Sequence, residues 1–347
     1  MKREQRVLDS LIRDLKEGNF KYTPRNETPI NWMSYNLAQI NEIKLVLLFI
    51  KNAVEEAAPP KRDAKKRKRR GREKRIPASD LAKAILVQQY FQKADRVAVG
   101  IIDLFREKLG ITSDIQPRTL DRAYFDREVK SILKKVFMAT SKPITSTETS
   151  FSTDTTGQPL SIKQNYANDR DNKDAHKGYD KMAVMVSNHF HIATAAMFGD
   201  YRMSDCPTFE PLLLETAERF LIVDVEADAG FLSRDNCTAT SNAGAIPYIY
   251  PKEGITLNKK GSMEWRAMLE RLLRDPQKWL ETYHLRSNNE SYFSSYKRRF
   301  PGPLLRKLPK GRRTEALARI SIHNICMLIR AYFEHDVEVE EFRDNYL

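Results

Sequence analysis

Three cysteines in 347 residues, Cys206, Cys237 and Cys326, are too few and too widely spaced for a disulfide framework, and none has the paired spacing of a zinc site. A reducing, intracellular compartment is the resulting expectation. Long apolar runs are lacking too. Stretches such as Leu45 to Ile50 fall far short of the ~20 residues a membrane span needs, and the opening MKREQR does not lead into the apolar core of a signal peptide. A membrane or secreted protein is set aside, and the cytoplasm is expected. Acidic charge is in deficit, with 46 Asp and Glu against 59 Lys and Arg for a net +13. A hydrophobic share of 41% rules out a wholly disordered chain and suggests two or three domains.

The excess charge is placed, not spread. Lys61 to Arg75 carries eleven basic and two acidic residues, and Tyr296 to Arg313 carries eight basic and no acidic ones, which leaves −4 for the rest of the chain. Two local basic patches on a slightly acidic protein point to a polyanion, above all nucleic acid. The first patch centres on Lys66, Arg67, Lys68, Arg69 and Arg70, and it suits nonspecific phosphate contacts whose strength falls steeply with salt.

Helical spacing of Val7, Leu8, Leu11, Ile12 and Leu15, and again from Trp32 to Ile50, predicts a helical module over 1–58. Residues 59–77, nearly devoid of apolar side chains, read as a disordered basic linker. Helices follow over 78–142: one capped by Ser79, one from Arg96 to Leu109 and one from about Leu120 to Phe137. This resembles a helical DNA-binding domain, although no side chain in it declares base readout. After Pro143 the period changes to strand: STETSFSTDTTG, a hairpin in MAVMVSNHFHIATAAMFG, the buried run FLIVDVEAD and then IPYIYP, with helices between and after. Residues 143–347 therefore read as an α/β domain with a mixed sheet.

Three acidic residues stand out by context. Asp154 lies near the end of the first strand, Asp228 closes FLIVDVEAD, and Glu290 sits in the helical stretch YHLRSNNESYFSSYKRRF. Carboxylates at strand ends face the crevice where ligands bind, and a third from a crossing helix could join them on divalent metal ions. Asp224 and Glu226 share a strand face with Asp228, so periodicity does not choose among them. Around Glu290, the offsets linking Tyr283, Arg286, Glu290 and Lys297 put all four on one helical face. That arrangement suits metal binding by the acid and phosphate binding by the rest. The bland alternative is a surface ion pair between Arg286 and Glu290. His189 and His191, flanking Phe190, read as a half-exposed strand face.

The series Y-(2)-R-(3)-E-(6)-K, met without a gap by Tyr283, Arg286, Glu290 and Lys297, resembles the signature of a large group of DDE-type insertion-sequence transposases. STDTTG at 152–157 and ADAGF at 227–231 resemble that group's first and second Asp motifs, and RRFPGPLLRK followed by a helix resembles its C-terminus. The resemblance implies an RNase H-like catalytic domain after an all-α N-terminal region, with Asp154, Asp228 and Glu290 as the metal-binding triad. It implies Mg²⁺, with Mn²⁺ able to substitute, and two-metal phosphoryl transfer on double-stranded DNA: terminal inverted repeats and target. Arg286 and Lys297 would hold DNA phosphates, Tyr283 would hydrogen-bond one, and Arg298 and Arg299 would continue the DNA path. A homodimer on DNA in a prokaryotic, nucleoid-associated setting is also implied. Sixty-two positions separate Asp228 from Glu290, too few for the β-rich domain some members insert there. A nuclease without strand transfer, or a non-catalytic DNA-binding derivative, are the alternatives.

Overall fold

The computed structural model describes residues 2–20, 29–58, 76–161, 178–258 and 260–343. The basic tract, with Lys66, Arg67, Lys68, Arg69 and Arg70, lies outside them. The chain divides into two compact units. One comprises Met1–Ile30, Ile144–Gly157 and Asp180–Ser295; the other comprises Asn31–Pro143, Gln158–Tyr179 and Tyr296–Leu347.

The first unit is organised by a five-stranded sheet of β1 (Ser150–Pro159), β2 (Tyr179–Ser187), β3 (Ala193–Asp200), β4 (Asp224–Ala227) and β5 (Ile246–Ile249), in the order β3-β2-β1-β4-β5. β2 and β3 form the expected antiparallel hairpin, whereas β1 with β4 and β4 with β5 are parallel. Parallel neighbours need a crossover, supplied by α8 (Phe209–Ala217) between β3 and β4 and by α9 (Arg234–Asn242) between β4 and β5. The inner strands bury Phe151, Val225 and Ala227 completely, as a sheet covered on both faces requires. Three further helices, α10 (Met263–Arg274), α11 (Pro276–Tyr283) and α12 (Ser287–Arg299), complete the order. A mixed sheet flanked by helices, behind a helical N-terminal part, is the RNase H-like arrangement expected.

The N-terminal helix, α1 (Lys2–Glu17), belongs to this unit and not to a module over 1–58. It buries Leu8 and Ile12, and the Gln5 amide donates to the Ile255 carbonyl and accepts from the Leu257 amide, each at 2.9 Å.

The second unit is helical: α2 (Trp32–Ala57), α3 (Ala78–Phe91), α4 (Asp95–Leu104), α5 (Arg106–Leu109), α6 (Pro117–Ala123), α7 (Arg127–Ala139) and α13 (Pro309–Glu334). α13 packs on α2, α3 and α7 and is buried on every side through its middle turns, the behaviour of a core helix. The C-terminal helix thus folds with the helical residues, not inside a domain spanning 143–347. Two expected helices are each broken, near Phe105 and at Asp126, whose carboxylate accepts from the Glu128 amide at 2.8 Å and starts α7. Ser79 is not a cap. The helix begins at Ala78, and the buried Asp80 instead accepts from the Thr112 and Ser113 amides at 3.2 and 3.1 Å.

Candidate active site

Strand register brings the first two carboxylates together. β1 and β4 pair Ser150 with Asp224, Ser152 with Glu226 and Thr153 with Ala227, and Asp154 and Asp228 are the next residue of each segment, with the Asp228 charge acting on Asp154. The register also distinguishes Asp228 from Asp224 and Glu226, which pair further back along β1. Asp154 accepts from the Thr155 amide at 2.7 Å. Asp228 accepts from the Gly230 amide at 2.7 Å and caps the turn Ala229–Phe231. The third carboxylate comes from α12. Tyr283 ends α11 and Arg286 lies in the single turn His284–Arg286, so the four signature residues do not share one unbroken helix. The i,i+4 relation survives nonetheless. Arg286 Nη2 donates to Glu290 Oε1 at 2.6 Å, and its Nη1 lies 3.7 Å from Asp154 Oδ2.

Three carboxylates around one guanidinium leave the cluster net negative. Burial pushes the Asp154 carboxyl up to about 6; Asp228 and Glu290 add to the rise, while the Thr155 amide and Arg286 pull against it. Burial also works against the Arg286 charge, but Tyr283, Glu290, Asp154 and Asp228 outweigh it and hold the guanidinium above its ordinary value. Among the described residues no group of three or more His, Cys, Asp or Glu forms a metal site as the side chains stand. The donor set fits a divalent cation in kind: hard carboxylate oxygens, mutually repelling, with one cation among them. A cation drawing on all three would need Arg286 to release Glu290, whose side chain is 61% exposed.

Other expected site residues fare differently. Tyr283 is buried, stacked on Trp279 with centroids 5.3 Å apart and close to Tyr250, and burial pushes its phenol up to about 12. Its phenol acts electrostatically on Arg286 and, being buried, does not lie open to a phosphate. Lys297 and Arg298 are exposed on the last turns of α12. Arg299 donates to both oxygens of Glu42 at 3.0 and 2.9 Å, so its fork is committed within the helical unit. Arg306, from the same basic patch, is 6% exposed, paired with Asp95 and Asp121, and lies over the Tyr124 ring. The second basic patch is therefore partly structural. His189 and His191 sit in the turn of the hairpin, not on a strand face, and His189 contacts Glu148 at 2.9 Å.

Several neighbours escaped the sequence reading. Asp205 accepts from Lys181 Nζ at 2.5 Å and from Thr155 Oγ1 at 3.1 Å, bracing the residue next to Asp154. At Gly230 an added Cβ would come within 2.8 Å of Asp228 Oδ1, so the carboxylate would have to shift to admit it. Gly230→Ala should displace that carboxylate and cost at least about tenfold in activity, with thermal unfolding moved little. Parallel melting and cleavage assays check this; unchanged cleavage would show that Asp228 tolerates the shift.

The family described as Transposase DDE domain matches residues 145–325, a span that holds Asp154, Asp228 and Glu290. The chain is also similar to a probable transposase for insertion sequence element ISA1214 of Archaeoglobus fulgidus, with 25% identity over 260 residues covering 74% of this chain and 77% of that one. Because the matched span exceeds half of the sequence and encloses Asp154, Asp228 and Glu290, the chain belongs to the Transposase DDE domain family.

Proposed function

We propose that this transposase cuts the ends of its element and joins the freed 3′-hydroxyl to target DNA at the cluster of Asp154, Asp228 and Glu290. The observation that carries this reading is the Arg286 guanidinium held between Asp154 of β1 and Glu290 of α12, with the Asp228 charge acting on both Asp154 and Arg286. They would hold divalent cations, Mg²⁺ in the cell with Mn²⁺ able to substitute, which when bound activate a water or 3′-hydroxyl and stabilise the departing oxygen. Asp154 and Asp228 are fixed by backbone amides and so keep their carboxylates in place. Arg286, relieved of Glu290, can turn to a DNA phosphate, and Tyr283 with Trp279 keeps its stem in position.

The exposed Lys297 and Arg298 suit backbone phosphates, as does the tract Lys66, Arg67, Lys68, Arg69 and Arg70. The helical residues 78–142 would grip duplex DNA, and two copies would pair the inverted-repeat ends. No described helix is long and apolar enough to cross a membrane; the nucleoid of a prokaryotic cytoplasm is the proposed place of action.

The direct test supplies purified protein, Mg²⁺ and a plasmid carrying the inverted repeats that flank the gene. Cleavage at the repeats followed by joining to a second plasmid is expected. Cleavage without joining would indicate a nuclease, and binding without either a non-catalytic derivative. Deleting Lys61 to Arg75 removes eleven basic residues. The dependence of DNA affinity on salt should then flatten, by about 0.9 in log–log slope for each DNA phosphate the tract neutralises. An unchanged slope in salt-series binding assays would make the tract a spacer.

A further inference from the structure

One rung below the acidic pair, the sheet carries a buried polar chain. Ser152 and Glu226 are register partners, and each lies two residues before a triad carboxylate on the same strand face. Ser152 Oγ donates to Asn188 Oδ1 at 2.7 Å, and Asn188 Nδ2 donates to Glu226 Oε2 at 2.7 Å and to Ser150 Oγ at 2.7 Å. From α12, Asn289 Nδ2 donates to Ser152 Oγ at 2.9 Å. Ser152, Glu226 and Asn289 are fully buried and Asn188 nearly so.

The energetics of this chain are poor for a purely structural device. Asn289 lies in the first turn of α12, where an aliphatic side chain would bury itself without any polar cost. Among the described residues its Oδ1 has no hydrogen-bond partner although it is buried. An orphaned buried oxygen lowers stability, and its presence calls for another role. What the chain does fix is geometry. It ties the helix turn bearing Glu290 to both strands that bear Asp154 and Asp228, at residues two or fewer away from each carboxylate.

We propose that Asn289 is a positioning residue, acting through Ser152 and Asn188 to set where Glu290 stands relative to Asp154 and Asp228 when they share a cation. The inference rests on the triad reading above, and the tests keep the two apart. In the full chain, Asn289→Ala should lower kcat for end cleavage about 10–100-fold while leaving KM for DNA and the melting temperature nearly unchanged. Mn²⁺ binding to the protein on uncleavable end DNA, followed by electron paramagnetic resonance, should weaken by a similar factor.

Ser152→Ala should reproduce both effects, Ser152→Thr should restore most of them by keeping the hydroxyl, and Asn289→Ala with Ser152→Ala should be no worse than either alone. Full activity in Asn289→Ala, losses that follow the melting temperature with Mn²⁺ affinity unmoved, or additive effects in the double variant would each overturn the proposal. Retained cleavage in Glu290→Gln would instead sink the triad reading itself.

Discussion

Asp154→Asn should remove both cutting and joining of DNA, by at least about a thousandfold, without unfolding the protein. The carboxamide has nearly the shape of the carboxylate, and its oxygen can still accept from the Thr155 amide, a bond of 2.7 Å in the native chain. The lost element is one negative charge in a cluster whose chemistry depends on charge. Because burial pushes Asp154 up to about 6, the ionised form is disfavoured by the fold, and stability from this group is present at low pH and lost as pH rises toward and through 6. A side chain that never ionises escapes that loss. The metal-free variant should therefore melt at the same temperature as the native protein, or higher, at pH 7. Melting curves in EDTA at pH 5 and pH 7, run beside plasmid cleavage, check both halves. A variant that melts well below the native protein at pH 7 would show that the Asp154 charge serves the fold rather than the reaction.

Glu315→Ala should produce the largest loss of stability, of the order of 3–5 kcal/mol. This carboxylate is fully buried in α13 and accepts from the Leu305 amide at 2.9 and 3.0 Å, from the Arg306 amide at 2.9 Å and from Arg319 Nη2 at 2.8 Å. Truncation strands the buried Arg306 amide and the part-buried Leu305 amide and leaves Arg319, itself bound to the Gly302 and Pro303 carbonyls and to Gln89, with an uncompensated charge. Chemical denaturation of the purified variant measures the loss. A change under about 1 kcal/mol would mean that water replaces the carboxylate, as at an exposed pair.

The parts of the site legible in the sequence are those governed by short-range periodicity. The i,i+4 spacing of Arg286 and Glu290 needs only a helical turn, and the ion pair forms although the helix is interrupted just before it. Asp228 follows directly on β4 as a strand-end carboxylate should, whereas Asp154 stands in the middle of β1 because that strand runs on to Pro159, and choosing Asp228 over Asp224 and Glu226 on physical grounds requires the register, which is a tertiary quantity.

Long-range partnerships left no local trace. Nothing near Arg299 or Arg306 announces Glu42, Asp95 or Asp121, so a run of cations read as a uniform DNA-facing strip when part of it is spent inside the helical unit. Likewise Asn289 and Ser152 meet across 137 positions, and each alone is an ordinary polar residue. The helical module expected over 1–58 failed for the same reason: amphipathic spacing shows that α1 and α2 each bury a face, but not against what.

The discontinuity of both units along the chain has a consequence for synthesis. At roughly 5–20 residues per second, about 7–27 s pass between translation of Asp154 and of Glu290. The core helix of the other unit, Pro309–Glu334, emerges later still. A chain interrupted before Glu290 therefore lacks the third carboxylate of the cluster and the helix that fills the core of the other unit.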